Sequence, residues 1–522
     1  MGGVVIAMKY DVIIKNGTLV DGTGALPASR DVGIRDGKIA AVGQLSAGDG
    51  EQVYDAKGKV VAPGFMDVHT HSEKSILQRP TAIQKISQGI TMEITGHCGE
   101  SPYPVKNPDR KESFANLESY REAVRKNGGM SLDHASLIGH GTLREYAVGD
   151  GDDKASREQM EKMAALLEEE FRQGACGMSS GLEYAPGIYS DEEEMVPLAV
   201  VCAKYKRVYT THMRSEGMKL LEAVEEALSV AKRSGATTVI SHIKACGKPN
   251  HGKVVTVLRM VNAANEAGAN VYMDCYPYPA ACTGLSIALP AYTKAKGHEE
   301  MMRCLTTEDG RAEIRRWFSL GTDVWENRSI VTGWENISVA YLDSEKNKYC
   351  IGKSIREIAA IRGVDELTAY MDLLAEENGN VSAILRSACE EDIIAAYSHP
   401  RTMVCSDATG IYGRPHPRLY ASHTRFLAHY ADLSTDKGLA QAVHRMTGLP
   451  AQVYRMKDSG ILAPGKRANI TVFDPAEIKD NATFENPCQL SDGVDAVFVG
   501  GKLSYRDKEV TDARSGRFYL AQ

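Results

Sequence analysis

Eight short runs rich in β-branched residues recur between residues 59 and 406, and most are followed by a helical pattern. They fall at 59–70, 91–95, 135–139, 176–180, 207–211, 237–241, 270–276 and 401–406. A helix between two strands carries the chain back to its starting side, so consecutive strands run parallel. One intervening helix is well punctuated. Ser156 and Gln159 make a capping box, Met160, Met163, Leu166, Leu167 and Phe171 form an apolar stripe, and Gly174 stops the turn. Eight such units predict an α/β chain folded as a (β/α)8 TIM barrel, with a doubly wound open sheet as the rival. The gap between 276 and 401 exceeds one strand–helix unit, so a lid-like subdomain is expected there, at about 292–350.

Both chain ends read differently. Strand patterns flank Asn16-Gly17, Asp36-Gly37 and Gly500-Gly501, dipeptides that favour type I′ hairpins. Isolated hairpins are marginal in water. Residues 1–62 and 459–522 are therefore expected to pack together as one small β-sandwich, leaving 63–458 for the barrel. A length of 522 residues accommodates that division.

Composition narrows the function. The net charge is −7 with no basic stripe, which argues against nucleic-acid binding. No apolar stretch approaches the ~20 residues of a membrane span. The run over 4–8 lacks the basic flank of a secretory signal. Eleven scattered cysteines suit free thiols in a reducing compartment, so a cytoplasmic enzyme acting on a small molecule is expected. The sequence carries no mark of an oligomeric state.

Polar residues collect at the ends of the predicted strands. The first ends in Met66-Asp67-Val68-His69-Thr70-His71, and strand alternation points His69 and His71 the same way. The second ends in Gly96-His97-Cys98-Gly99, the fifth in Thr211-His212, the sixth in Ser241-His242 and the eighth in Ser406-Asp407. A barrel gathers these C-terminal ends into one ring, bringing together His69, His71, Cys98, His212, His242 and Asp407. Those are zinc ligand types.

The run Val61-Ala62-Pro63-Gly64-Phe65-Met66-Asp67-Val68-His69-Thr70-His71 resembles the opening signature of the amidohydrolase superfamily. Ser179-Ser180-Gly181-Leu182-Glu183-Tyr184-Ala185-Pro186-Gly187, Thr211-His212-Met213-Arg214-Ser215-Glu216-Gly217 and Asp274-Cys275-Tyr276-Pro277-Tyr278 are similar to the N-acyl-D-amino-acid deacylases (D-aminoacylases). So are His416-Pro417-Arg418-Leu419 and the run from Gly460 to Lys466. The resemblance covers about residues 9–510 and is poorest near 292–395.

It implies one tightly held zinc on Cys98, His212 and His242, and a second, weaker site on His69, His71 and Asp407. The fourth strand contains no lysine to bridge two metals after carboxylation, so Cys98 can take that anionic role; this argues against a hydantoinase or dihydroorotase. The implied reaction is hydrolysis of N-acyl-D-amino acids, with Asp407 accepting a proton from water and returning it to the departing amine. The resemblance assigns the substrate carboxylate to Lys244, Arg418, Tyr184 and Tyr276, with Cys282 standing where the family tends to have serine. Arg214 and Glu216 are expected to pair near His212, and Asp67 to orient the site. His97 replaces a usual asparagine and is a candidate competing ligand. If the insertion folds over the site, Lys294 and Lys296 could meet an acidic side chain. The alternatives are an amidohydrolase acting on a cyclic imide or D-dipeptide, and a non-catalytic scaffold, against which stand six filled ligand positions.

Overall fold

Gly64 divides the first of the eight runs. In the computed structural model, Val60–Pro63 pairs with Ile470–Phe473 and with Thr18–Leu19, outside the barrel. Phe65–Asp67 alone enters it. A Cβ at Gly64 would stand 2.1 Å from Thr91 Oγ1, so only glycine lets the chain cross there. The structure describes residues 9–106, 108, 112–322, 324–410 and 412–522; the 4–8 run lies outside them.

The barrel strands are β1 (Phe65–Asp67), β2 (Ile90–Thr95), β3 (Asp133–Gly139), β4 (Gly177–Gly181), β5 (Val208–His212), β6 (Thr237–Ile240), β7 (Val271–Cys275) and β8 (Thr402–Val404). Each lies parallel to the next in chain order. β8 returns to β1 through a parallel bridge between Thr70 and Ala408 and through Asp407 N–H donating to His69 O at 2.7 Å. The expected barrel is present, and its seam runs through three of the predicted ligands.

Helices wrap this barrel with the predicted punctuation. Arg157–Gln173 opens on a Ser156/Gln159 capping box and closes on Gly174 at φ 108°. Met163, Leu167 and Phe171 are buried, while Met160 and Leu166 flank the same cluster. Each fully buried apolar side chain is worth roughly 1.5–3 kcal/mol.

The termini form two sheets that share a core. One contains Tyr10–Lys15, Asp31–Arg35, Lys38–Gly43 and Gly50–Asp55; the other joins Thr18–Leu19, Ala28–Ser29 and Val60–Pro63 to Ile470–Phe473, Val494–Val499, Lys502–Arg506 and Glu509–Val510. Val12, Ile14, Val32 and Ile34 pack with Ile470, Val472, Ala496 and Phe498. Asp36-Gly37 and Gly500-Gly501 turn hairpins with φ positive at both positions. Asn16-Gly17 does not. Only Asn16 has positive φ, and the chain leaves one sheet for the other there.

Between β7 and β8 a three-stranded antiparallel sheet forms from Ala281–Gly284, Ile337–Leu342 and Val381–Leu385. The subdomain thus takes in 281–385, more on both sides than the expected 292–350, because one edge strand, Ala281–Gly284, and the central strand, Val381–Leu385, fall outside that range. It has its own core, including Leu305, Ile314, Val339, Ile358 and Leu374. Among the described residues no helix is long and apolar enough to cross a membrane, and all eleven cysteines are free.

Candidate metal centre

Three of the six predicted ligands sit in backbone conformations that side chains rarely adopt: φ is 53° at Cys98, 35° at His242 and 48° at Asp407. Left-handed non-glycine residues cost energy and concentrate where a side chain must be aimed. The turn carrying Cys98 rests directly on the end of β4. A Cβ at Gly181 would fall 2.0 Å from Cys98 O, and one at Gly99 would fall 2.7 Å from Gly181 N. Small residues there let the thiol reach the barrel axis.

The result is a thiol ringed by imidazoles. Cys98 Sγ lies 3.4 Å from His69 Nε2, 3.7 Å from His212 Nδ1 and 3.5 Å from His242 Nε2. Asp407 Oδ1 stands 3.4 Å from His69 Nε2 and 3.3 Å from His71 Nε2. The atoms of His69, His71, Cys98 and Asp407 lie within 4.8 Å of one another, as do those of Cys98, His212 and His242. Ligand atoms held ~2.0–2.3 Å from one tetrahedral ion should be roughly 3.3–3.7 Å apart. The sulfur–nitrogen separations meet that; His212 Nδ1 and His242 Nε2, 2.9 Å apart, are somewhat compressed. The donor set fits two ions sharing Cys98.

Each imidazole that faces Cys98 turns its other nitrogen to a carboxylate. His212 Nε2 is 3.0 Å from Glu183, His242 Nδ1 2.8 Å from Glu216, and His69 Nδ1 3.3 Å from Asp274. A carboxylate so placed fixes which nitrogen carries the proton and leaves the other free for a metal; His212 Nε2 makes that hydrogen bond with Glu183, whereas His242 Nδ1 also lies 2.9 Å from Lys244 Nζ and His69 Nδ1 makes no hydrogen bond. Glu183, His212 and Glu216 also cluster closely enough to suggest a third ion. Arg328 on Glu183 and Lys244 on Glu216 already supply the opposing charge. Burial would raise both carboxyls, but Arg328 and His212 hold Glu183 below the usual range, and Lys244 and His242 hold Glu216 well below it.

Burial also dominates the ligands themselves. It pushes the Cys98 thiol up and the His69 ring down. At Asp407 burial is overcome by Arg418, with help from His242 and His71, and the carboxyl stays well below its ordinary range. It is ionised.

The expected substrate residues surround this set, already engaged. Arg418 Nη1 donates to Asp407 Oδ2 at 2.7 Å and Nη2 to Cys282 O at 3.2 Å, while Nε is buried without a partner. Its guanidinium lies over the Tyr276 ring, whose hydroxyl is also buried and unpartnered. Lys244 Nζ contacts Glu216 and donates to His242 O at 2.8 Å. Tyr184 OH meets Thr283 Oγ1 of the subdomain at 3.2 Å, and Cys282 is buried beside it.

Several local expectations fail for identifiable reasons. Asp67 is not among them: it contacts Lys85 and accepts Ser406 N–H at 2.8 Å, beside Asp407 in the chain, a position suited to orienting the site. The acid beside His69 is Asp274, which sequence reasoning missed although it ends a barrel strand. Arg214 pairs with Glu226, not Glu216, whose charge is met by Lys244. His97 stacks on the His69 ring at 3.8 Å with both nitrogens buried and unpartnered; it joins none of the ligand clusters. Lys296 is exposed. Lys294 reaches toward Glu183 and Arg328, touches Ser286 O at 3.4 Å, and is lowered to about 8 by burial. Glu183 and Arg328 were also missed: Glu183 stood inside a quoted motif, but nothing in the sequence marks Arg328.

Known proteins resemble this chain over nearly its whole length. The profile of the amidohydrolase family matches residues 52–505. The N-acyl-D-glutamate deacylase of Alcaligenes xylosoxydans xylosoxydans is 33% identical over 503 residues, covering 94% of this chain and 93% of its own. The D-aminoacylase of the same organism is 31% identical over 525 residues, 98% of each chain. A crystal structure of the N-acyl-D-glutamate deacylase from Bordetella bronchiseptica, complexed with zinc and a phosphonate mimic of the reaction's tetrahedral intermediate, superposes with a TM-score of 0.84. It is 33% identical and covers 98% of this chain and 100% of its own. Matched by that profile over residues 52–505, and by deacylases of 31–33% identity over 94–98% of its length, this chain belongs to the amidohydrolase family.

Proposed function

We propose that this protein hydrolyses N-acyl-D-amino acids to a carboxylate and a free D-amino acid, using zinc. One ion is assigned to Cys98, His212 and His242, and a second, weaker one to His69, His71 and Asp407, with Cys98 between them. The observation that carries the reading is the Cys98 thiol within 3.4–3.7 Å of three imidazole nitrogens, with Asp407 Oδ1 3.4 Å from the same His69 Nε2. β4, Gly-Met-Ser-Ser-Gly, offers no lysine for the bridging position, which favours a linear amide over the cyclic imides of lysine-bridged relatives.

Bound zinc supplies a Lewis acid that acidifies water and polarises an amide carbonyl. Asp407 accepts the proton released as the carbonyl is attacked, and Arg418, clamped on Oδ2, leaves Oδ1 facing the ligands. The same oxygen then delivers the proton to the amine nitrogen as the C–N bond breaks, since an unprotonated amide nitrogen is a poor leaving group. Lys244, Arg418, Tyr184 and Tyr276, with Cys282 beside them, hold the substrate carboxylate. If that grip and the metal fix two substituents of the α-carbon, its handedness decides where the side chain goes.

The test is hydrolysis of matched N-acetyl-D, N-acetyl-L, cyclic-imide and D-dipeptide substrates by zinc-restored protein. Turnover confined to the D-acyl series supports the reading; turnover of L-acyl or cyclic substrates alone refutes it.

A further inference from the structure

The subdomain does more than cover the ligand ring. Arg328 belongs to it and is buried, with only 7% of its side chain exposed. Its guanidinium contacts Glu183 Oε1, and Glu183 Oε2 lies 3.0 Å from His212 Nε2. His212 Nδ1, on the opposite side of the ring, faces Cys98 and His242. One unbroken line therefore runs from the subdomain to a predicted zinc ligand.

A second contact ties down the loop that follows His212. Glu326 lies 3.6 Å from the same Arg328 nitrogen, and its Oε2 accepts from Ser215 Oγ at 2.9 Å and Met218 N–H at 3.2 Å. The carboxylate packs closely on the loop: a Cβ at Gly217 would meet Glu326 Oε1 at 2.4 Å and push it aside. Two subdomain residues thus grip both the His212 loop and the acid that orients the His212 ring.

We infer that Arg328 is a positioning residue of the metal centre: by fixing Glu183 it sets the His212 ring with Nδ1 toward Cys98, making the subdomain part of the zinc site. The inference rests on His212 being a metal ligand, as proposed above. A guanidinium suits the task because it is planar and always charged, so one group can hold Glu183 and face Glu326. Without it Glu183 would be a buried, unpaired carboxylate, free to turn away from the ring or to take up a proton.

The experiment is zinc affinity by competition with a chromophoric chelator, on full-length wild type, Arg328→Ala, Arg328→Lys and Glu183→Gln. Loss of a group that orients a ligand typically weakens metal binding about 10–100-fold, and that range is expected for Arg328→Ala and Glu183→Gln. Arg328→Lys, which keeps the charge but not the planar fork, should recover part of the loss, and guanidinium at about 10 mM, too dilute to denature, should restore zinc binding to Arg328→Ala but not to Glu183→Gln. Affinity within threefold of wild type in both neutral variants overturns the inference. So does a loss in Arg328→Ala that neither lysine nor guanidinium relieves, which would mark simple packing damage. If Arg328→Ala does not fold, Glu183→Gln, nearly isosteric, decides alone. The zinc readout needs no substrate, so failure of every N-acyl-D-amino acid to react would refute the proposed function without touching this result.

Discussion

Replacing Asp407 by asparagine separates its two jobs. The amide keeps the size of the carboxylate but cannot take a proton, and loss of a positioned acid–base group costs about 10²–10⁴ in rate. It also strands Arg418, whose side chain is 1% exposed and whose Nη1 lies 2.7 Å from Asp407 Oδ2. Removing one partner of a buried ion pair costs about 3–5 kcal/mol; the remaining amide oxygen still accepts from Arg418, so the lower figure applies. A chain of 522 residues unfolding as one unit has an entropy of roughly 1.1 kcal/mol/K, and about 3 kcal/mol then lowers the melting temperature by about 3 °C. Adding Arg418→Met removes the stranded charge and should recover that stability while activity stays low. The assays are turnover of an N-acetyl-D-amino acid, zinc content and a thermal scan. Asp407→Asn activity within tenfold of wild type would refute the proton-transfer role. A double variant no more stable than the single one would refute the unpaired-charge account.

Other outcomes follow from the same geometry. Chelation should abolish hydrolysis and zinc should restore it, whereas Cys98→Ala, lacking the shared thiolate, should retain less than about a tenth of an equivalent of zinc by elemental analysis. Lys294→Met should cut kcat/KM for N-acyl-D-glutamate about tenfold and leave N-acyl-D-leucine within threefold; since Lys294 is lowered to about 8, the wild-type preference for the acidic substrate should fade as pH rises through 8. Burial raises Glu170 from 4.5 to about 7, so the folded state binds more protons between those values and stability falls as pH rises through that window, by about 3 kcal/mol. Glu170→Gln can still accept from Leu117 N–H, a 2.9 Å bond in the wild type, and should melt about 3 °C higher than wild type at pH 8 but not at pH 4.

The candidate ligand set was legible because position on a barrel is local. The C-terminal end of a barrel strand means the open rim, so His69 and His71 just past β1, His212 closing β5 and His242 just past β6 could be brought together from sequence. What failed depended on partners. Asn16-Gly17 encodes a positive φ at Asn16 but not which strand comes next, and the chain there changes sheets. Asp274 was missed: it and Asp67 both lie on barrel strands, but the register between β1 and β8 sends Asp67 to Ser406, while Asp274 comes beside His69. Arg214 and Glu216, two apart in a loop rather than a strand, separate to Glu226 and Lys244. Arg328 had no signal because it arrives from a loop of the subdomain, where neither periodicity nor a strand end marks it.

The electrostatics explain why those illegible residues matter. Three carboxylates stand behind three imidazoles, in a site that already holds Asp407 and the Cys98 thiol. Before any ion arrives, so many buried acids would repel one another and take up protons. Arg328, Lys244 and Arg418 each answer one acid: Glu183, Glu216 and Asp407. Asp274 has no lysine or arginine beside it and is the one pushed upward by burial, eased by the His242 and His97 rings, by His242 N–H at 2.7 Å and by the Cys405 thiol. Three cations thus keep three acids charged and in place, leaving the inner nitrogens and the Cys98 sulfur as the groups still without a positive partner. A divalent ion is the species that completes such a set, and the deepest of the three cations, Arg418, also fixes which oxygen of Asp407 faces the chemistry.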